Sequence, residues 1–294
     1  MTQRPIEPGE TFRYEFTLRQ HGTFMYHSHH DEMVQMAMGL MGMIVVHPRA
    51  PAEPPPERDF VYMLSEWALK VGTERPDPNE MTDFNVLTFN GKVFPATAPM
   101  VVRTGQRVRI RLGNLSAMDH HPIHLHGHAF TVTSTDGGAV PPSARVPEVT
   151  VVVATGQTRT FDFVADAPGD WAMHCHMTHH VMTQMGHGIP NLLGVDPSMF
   201  DSKLGEVVPA FAQLGQMAHD PAKPDAADDT LPKNSQPMVG GTGGFGYVTM
   251  GGMVTVLKVR DGIKEYGDPG HYVHPKGTVA DVATPEELRR DGIE

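Results

Sequence analysis

The stretch G-D-W-A-M-H-C-H-M-T-H-H-V-M-T-Q-M, residues 169–185, decides the fold of this chain. It contains the only cysteine of the sequence, Cys175, between His174 and His176. Successive side chains of a β-strand point to opposite faces. If the stretch begins as a strand, Cys175 therefore faces one side and both neighbouring histidines face the other.

Two further potential ligands follow on the cysteine side, His180 and Met185. One thiolate, two histidines and a weakly bound thioether form the ligand set of a blue-copper electron-transfer site. The stretch supplies the thiolate, the thioether and one of the histidines. A second histidine must come from elsewhere in the chain.

A second histidine-rich stretch, H-P-I-H-L-H-G-H at residues 121–128, shows the same alternation. On a strand His124 and His126 share one face, and His121 lies on the other. The alternation of side chains in the two stretches predicts two separate sites. The first gathers His121, Cys175, His180 and Met185. The second gathers His124, His126, His174 and His176 together with His27 and His29 from the start of the chain.

An internal repeat relates residues 6–38 to residues 153–185 without a gap. Its two copies share turn glycines, an H-x-H motif and several apolar positions, which indicates two copies of one β-domain. The first copy has no counterpart of the strands that precede the second copy. The same offset places the counterparts of His124 and His126 upstream of Met1. The sequence therefore predicts that this chain is an N-terminally truncated fragment or has a misplaced start, and the same truncation would remove any secretion signal.

Helix signals are sparse, and short β-rich runs recur between Gly and Pro turns, which favours an all-β sandwich or barrel. We expect the second half of a first domain at 1–49, a Pro-rich linker at 50–59 and a second domain at 60–199. A loop-rich C-terminal extension at 200–294 would carry a late strand near 253–259. The run 240–247 is interpreted as a flexible turn, and Asn90–Gly91 as a hairpin turn.

Composition excludes some classes of partner. The net charge of −11 argues against nucleic acid, and the arginines of the 100–112 run are interpreted as solvent-facing. No apolar run is long enough to predict a membrane span. The 18 histidines and 20 methionines cluster in three segments. For the methionines of residues 33–43, packing is the default interpretation, and a soft-ligand patch for Cu(I) is the alternative.

H-S-H (27–29), H-P-I-H-L-H-G-H (121–128) and H-C-H-M-T-H-H-V-M-T-Q-M (174–185) resemble three of the four copper motifs of the multicopper oxidases. This laccase-like family implies two cupredoxin-like Greek-key domains, the first of them incomplete here. The resemblance implies that type 1 copper is bound by His121, Cys175, His180 and Met185. It implies His124 as a type 2 ligand, and His27, His29, His126, His174 and His176 as ligands of the type 3 pair.

The short interval between H-S-H and H-P-I-H-L-H leaves no room for a middle domain. Ser28 occupies the repeat position of Cys175, so the first copy lacks the thiolate of a type 1 site. The chain therefore resembles two-domain oxidases similar to small bacterial laccases. That resemblance implies a homotrimer with the trinuclear cluster between chains, and a periplasmic or secreted location.

The implied function is one-electron oxidation of a phenol-like compound, a metal ion or cuprous copper, coupled to reduction of dioxygen to water. Electrons would pass through Cys175 to His174 and His176. The nearest acids that could relay protons are Asp31, Glu32 and Asp119. One alternative is a copper-binding or copper-tolerance protein without turnover in this truncated form. Another is a copper nitrite reductase, against which Ser28 and the intact H-C-H argue.

Overall fold

The computed structural model describes residues 3–51, 53–69, 75–82, 84–181, 240–248 and 250–293. Two β-sheets packed face to face enclose the core of this part of the chain, and a two-stranded hairpin lies on the outside of one of them. The all-β prediction is confirmed. Among the described residues, no helix has the length and apolar character needed to cross a membrane.

The strands are β1 (Gly22–His27), β2 (Met41–Val46), β3 (Arg58–Trp67), β4 (Val86–Phe89), β5 (Met100–Arg103), β6 (Arg107–Asn114), β7 (His121–Leu125), β8 (Phe130–Thr135), β9 (Gly138–Ala139), β10 (Pro147–Glu148), β11 (Thr150–Val153), β12 (Thr158–Val164), β13 (Gly169–Cys175), β14 (Gly241–Gly243), β15 (Gly246–Val248) and β16 (Val254–Arg260). The helices are α1 (Glu32–Ala37) and α2 (Pro285–Arg290), with 3₁₀ turns at Pro142–Ala144 and Thr178–His180.

Sheet I has the strand order β10-β8-β12-β6-β3-β4, with β9 beside β8, and sheet II has the order β11-β7-β13-β16-β5. Alternate residues of both sheets point into the space between them. Leu64, Ile110 and Phe161 of sheet I share one buried core with Ile123 and Met173 of sheet II. Burial of these apolar side chains is the main favourable contribution to folding.

Local turn signals are matched by the structure. The run 99–112 divides at T-G-Q into β5 and β6, with Gly105 at φ +85°. Asn90 and Gly91 both have positive φ between Phe89 and Lys92, as a tight hairpin turn of primed type requires.

The repeat is visible where its two copies enter their histidine strands. β1 begins at Gly22 and β13 at the equivalent Gly169, and these glycines have φ values of +145° and +155°. Residues 11–17, the counterparts of β12, are not in a strand. β12 lies between β6 and β8, whereas no strand of the described part of the chain flanks residues 11–17.

The hairpin β1–β2 packs on the outer face of sheet I. Thr158 Oγ1 donates a hydrogen bond to the Thr23 carbonyl over 2.9 Å, and Arg111 donates to Thr23 Oγ1 over 2.8 Å. The interpretation of the β6 arginines as solvent-facing is wrong for Arg111, which is buried because the hairpin covers it and Asp59 pairs with it. Met25 and Met43 lie over Gly113, so these two methionines pack against the sheet.

The late strand predicted near 253–259 exists as β16, but it does not belong to a separate extension. It lies inside sheet II, antiparallel to β13 and parallel to β5. Residues 241–248, which overlap the run 240–247 interpreted as a flexible turn, form the hairpin β14–β15. The first part of the predicted loop-rich extension, residues 200–239, and the predicted domain boundary at 199 fall outside the described residues.

Candidate metal centres

The two histidine stretches lie side by side in sheet II. β7 and β13 are antiparallel neighbours, with His124 opposite His174 and Ile123 opposite Cys175. Ile123 and Cys175 are fully buried and point into the core, so the histidine pair points to the outer face of the sheet. One pair of strands therefore serves two sites on its opposite faces.

The inner site brings together three of its four sequence candidates. Cys175 Sγ is 3.4 Å from His180 Nδ1 and 3.8 Å from His121 Nδ1, and the two Nδ1 atoms are 3.2 Å apart. All three side chains are buried. The fourth candidate, Met185, lies outside the described residues.

The outer nitrogens of both imidazoles are held by a single loop. Ser116 Oγ lies 2.6 Å from His121 Nε2, and Asp119 Oδ2 lies 3.3 Å from His180 Nε2. Partners on the far nitrogen fix the tautomer and orientation of a metal-binding histidine. The Nδ1 atoms are thereby directed towards Cys175.

Burial sets the protonation states of this site. It lowers the pKa of His121 to about 3 and also lowers the pKa of His180, which the nearby Asp119 carboxylate raises in part. Burial also raises the pKa of the Cys175 thiol to about 12. In the metal-free protein at pH 7 the imidazoles are neutral, and the thiol has to lose its proton when a metal binds.

The three donor atoms fit a transition metal. A point equidistant from three atoms with these separations is about 2 Å from each, which is a normal bond length to nitrogen or sulfur. A thiolate with two imidazoles is the strong ligand set of a blue-copper site. The geometry therefore fits copper without rearrangement of the strands.

The outer site gathers four histidines from β7, β13 and the residues that follow them. The ring centroid of His124 lies 4.8 Å from that of His126, 5.6 Å from that of His174 and 5.2 Å from that of His176. His126 Nε2 and His174 Nε2 are 3.0 Å apart. Burial lowers the pKa of His126 and of His174, which favours the neutral, ligating form.

Hydrogen bonds orient two rings of the outer site. His174 Nδ1 lies 2.8 Å from the Cys175 carbonyl, which can only accept, so this nitrogen carries the proton and Nε2 has a free lone pair. His124 Nδ1 lies 2.8 Å from Thr150 Oγ1 on the neighbouring strand β11.

His27 and His29 are not brought to the outer site within one chain. His27 ends β1 and His29 follows it, on the hairpin that packs against sheet I, whereas the four-histidine group belongs to sheet II. Their ring centroids are 6.4 Å apart, and in the described part of the chain no ring contact joins them to the other four. The Nδ1 atoms of both rings lie 3.3 Å from the Glu32 carboxylate.

Several contributors could not be identified from sequence motifs. Ser116, Thr150 and Glu66 belong to no histidine motif, and each reaches its site through strand pairing or a loop contact. Glu66 accepts hydrogen bonds from the loop that carries Asp119, and burial raises the pKa of its carboxyl to about 7. The sequence indicates Asp119 only as a proton relay, whereas the structure places its carboxylate against His180 of the inner site.

Two family models, both described as multicopper oxidase, match residues 70–192 and residues 1–51. "Multicopper oxidase MmcO" of Mycobacterium tuberculosis is 41% identical over 106 residues, covering 36% of this chain and 20% of that protein. "Laccase-1" of Fomitopsis schrenkii is 32% identical over 178 residues, covering 57% of this chain and 31% of that protein. The chain thus spans about a fifth to a third of the length of these curated relatives.

The crystal structure of a blue copper oxidase from Nitrosomonas europaea resembles this fold with a TM-score of 0.58 at 24% identity, covering 88% of this chain and 62% of that chain. At this identity the likeness concerns the fold, and it agrees with the two packed sheets described above. The family model over residues 1–51 includes the hairpin β1–β2, and the model over residues 70–192 includes the histidine strands of sheet II. The chain belongs to the multicopper oxidase family, whose cofactor is copper.

Proposed function

We propose that the protein is a laccase-like oxidase that removes electrons one at a time from a small-molecule or metal-ion reductant and transfers them to dioxygen, forming water. The observation that carries this proposal is that adjacent residues at the end of β13 belong to two different sites. Cys175 belongs to the buried site, while His174 and His176 belong to the four-histidine site. An electron that enters at one site needs only the backbone of adjacent residues to reach the other.

The chain's own residues would act as follows. Copper bound here would supply one-electron redox chemistry at the inner site and the multi-electron reduction of dioxygen at the outer one. His121, Cys175 and His180 would hold the type 1 copper, with Met185 as the proposed fourth ligand. His124 would be the type 2 ligand, and His27, His29, His126, His174 and His176 would serve the type 3 pair.

The inner site also suggests where a reductant approaches. His180 is buried, but Asp119 against its Nε2 keeps about a third of its side chain exposed. In the described part of the chain, this carboxylate is therefore a point at which solvent comes close to the inner site. A phenol-like donor could hydrogen-bond to it, and a metal ion could bind it. We place electron entry at this edge.

We further propose that a second copy of the chain contributes His27 and His29 to the outer site. His27 and His29 lie on a hairpin against sheet I, the His29 side chain is 66% exposed, and the four histidines of sheet II lie on an outer face. A closed ring of identical subunits would bring the hairpin of one copy to the histidine face of the next. A homotrimer working in the periplasm or outside the cell is the assembly implied by the two-domain oxidases that the sequence resembles.

A second candidate function is copper binding without turnover. It is favoured by the separation of His27 and His29 from the other four histidines, since an unassembled chain could hold copper and lack a complete oxygen-reducing site. The two functions differ in oxygen uptake. Only the oxidase consumes oxygen in proportion to an added reductant.

The test compares the copper-loaded protein with Cys175→Ser and with the control His120→Gln, which changes an exposed histidine beside the site. The wild type and His120→Gln are expected to show intense visible absorption from the thiolate–copper bond and to consume oxygen with a phenolic donor. Cys175→Ser should lose the absorption and the oxygen uptake completely while still holding copper at the four histidines. Visible absorption that survives in Cys175→Ser would contradict the site assignment, and a blue wild type without oxygen uptake would favour simple copper binding.

A further inference from the structure

The loop between β6 and β7 provides the outer partner of both inner-site histidines. Ser116 lies near its start with Oγ 2.6 Å from His121 Nε2, and Asp119 lies near its end with Oδ2 3.3 Å from His180 Nε2. The orientation of both imidazoles therefore depends on the position of one short stretch of backbone.

A buried carboxylate from sheet I holds that backbone. Glu66, near the end of β3, is 6% exposed, and its Oε1 accepts hydrogen bonds from the N–H groups of Met118 over 2.5 Å and Asp119 over 3.1 Å. Its Oε2 is enclosed and accepts no hydrogen bond from the described residues. Burying a carboxyl group in this way costs free energy, which the two hydrogen bonds offset in part.

Asn114 fixes the other side of the same loop. Its Oδ1 accepts a hydrogen bond from the Ser116 N–H over 2.8 Å, and its Nδ2 donates to the Asp119 and Val153 carbonyls, each over 2.9 Å. Asn114 thus ties the loop to its own strand and to β11. Glu66 provides the link from the loop to β3, since it binds the two N–H groups next to the Asp119 side chain.

We infer that Glu66 is a positioning residue for the inner copper site, because it holds the backbone that places Asp119 against His180. This inference rests on the proposed type 1 site, and it concerns a residue that holds the backbone beside that site and supplies none of its donor atoms. Loss of the Glu66 acceptor leaves the N–H groups of Met118 and Asp119 without this hydrogen bond, and the half-exposed loop can then shift to pair them with water. His180 then loses the contact that orients its ring.

The experiment compares Glu66→Leu, Glu66→Gln and the control Ser65→Ala in the copper-loaded full chain. Ser65 lies next to Glu66 on β3, is equally buried, and its hydroxyl has no hydrogen-bond partner among the described residues. The measured quantities are the reduction potential of the blue site and the rate at which a strong chelator abolishes its visible absorption. We expect Glu66→Leu to release copper about tenfold faster, as for other residues that orient ligands. Glu66→Gln keeps an oxygen acceptor and should stay within about twofold of the wild type.

Equal release rates and potentials in Glu66→Leu and Ser65→Ala would overturn the inference. If Glu66→Leu does not fold, Glu66→Asp takes its place, since it withdraws the acceptor by one methylene group. Glu66→Asp should then release copper about threefold faster than Glu66→Gln. Equal release rates for these two variants would count against the inference.

A measurement without metal separates this inference from the proposed function. If the wild type develops no blue absorption, the type 1 assignment fails, whatever Glu66 does. In the copper-free protein, the ring ¹⁵N shifts of His180 report its tautomer. A single tautomer in the wild type and in Ser65→Ala that becomes averaged in Glu66→Leu would support the positioning role, and unchanged shifts would refute it.

Discussion

In the inner site, burial has more effect than neighbouring charges on the pKa values of His121 and Cys175. His121 is fully enclosed, and its outer nitrogen is in contact with Ser116, so its neutral form is strongly favoured. Cys175 beside it stays a thiol for the same reason. The metal-free site is therefore uncharged at these two positions, and binding of a cupric ion releases the thiol proton.

This burial predicts a pH-dependent stability of the copper-free protein. The unfolded chain protonates His121 below pH 6.5, whereas the native protein does so only near pH 3, so stability is full above pH 6.5 and falls towards pH 3. Between pH 7 and pH 4 this residue alone removes about 3 kcal/mol from the free energy of unfolding.

Urea unfolding of the copper-free protein at several pH values checks this expectation. The variant His121→Leu should lose correspondingly less stability on acidification, because it has no group to protonate at this position. Parallel pH profiles for the wild type and the variant would show that His121 is protonated as readily in the native protein as in the unfolded one.

Which residues of the site could be predicted from the sequence depends on how local their geometry is. The opposite orientation of Cys175 and its neighbouring histidines follows from strand alternation within three residues. The contact of Glu66 with the Asp119 backbone depends on how the loop after β6 lies over β3, and no sequence motif encodes that contact. Ser116 and Thr150 were missed for the same reason.

Whether a strand or a turn could be predicted from the sequence also depends on how local its determinants are. β5, β6 and the Asn90–Gly91 turn were predictable, because each is specified by adjacent residues of the chain. The place of β16 between β13 and β5 was not, since its apolar run would suit a strand in the core or in an extension. Arg111 shows a related limit, because its alternation with apolar residues indicates the outer face of β6 but not the hairpin that covers that face.

The hairpin β1–β2 depends on close approach at its first residue. Gly22 has φ +145°, and a side chain there would collide with the backbone of Gly137. Gly22→Ala should therefore weaken the docking of the hairpin on sheet I by about 1–3 kcal/mol. Faster proteolysis between β1 and β2 at a constant protease concentration would report this loss.

Gly9→Ala is the matched control for this substitution. Gly9 also has positive φ, but a side chain there would meet nothing within 4 Å. It should leave proteolysis of the hairpin close to the wild-type rate. An equal acceleration in both variants would mean that the contact with Gly137 does not hold the hairpin.

At the scale of the whole molecule, the separation of the two histidine groups makes a prediction about assembly. One variant carries His27→Ala and His29→Ala and so lacks the histidines of the hairpin. Another carries His124→Ala and His126→Ala and so lacks two histidines on the outer face of sheet II. If sites form between copies, random mixing of the two chains restores both halves at about a quarter of the interfaces of a closed ring. If sites form within one chain, mixing restores none.

Copper content per chain after joint refolding, together with sedimentation of the mixture, measures this directly. Each variant alone should hold copper only at the inner site, and the mixture should gain further copper in the predicted proportion. A mixture that holds no more copper than its separate components would contradict assembly in trans.

The place of β16 between β13 and β5 has a consequence for synthesis of the protein. The Cys175 N–H donates to the carbonyl of Met253 over 3.1 Å, and β16 completes sheet II about 80 residues after Cys175 in the chain. At ordinary translation rates, a ribosome takes about 4–16 s to add that length. During that interval a nascent chain carries a thiol between two histidines with no finished sheet around it. Metal loading is therefore best delayed until the last strand has been made.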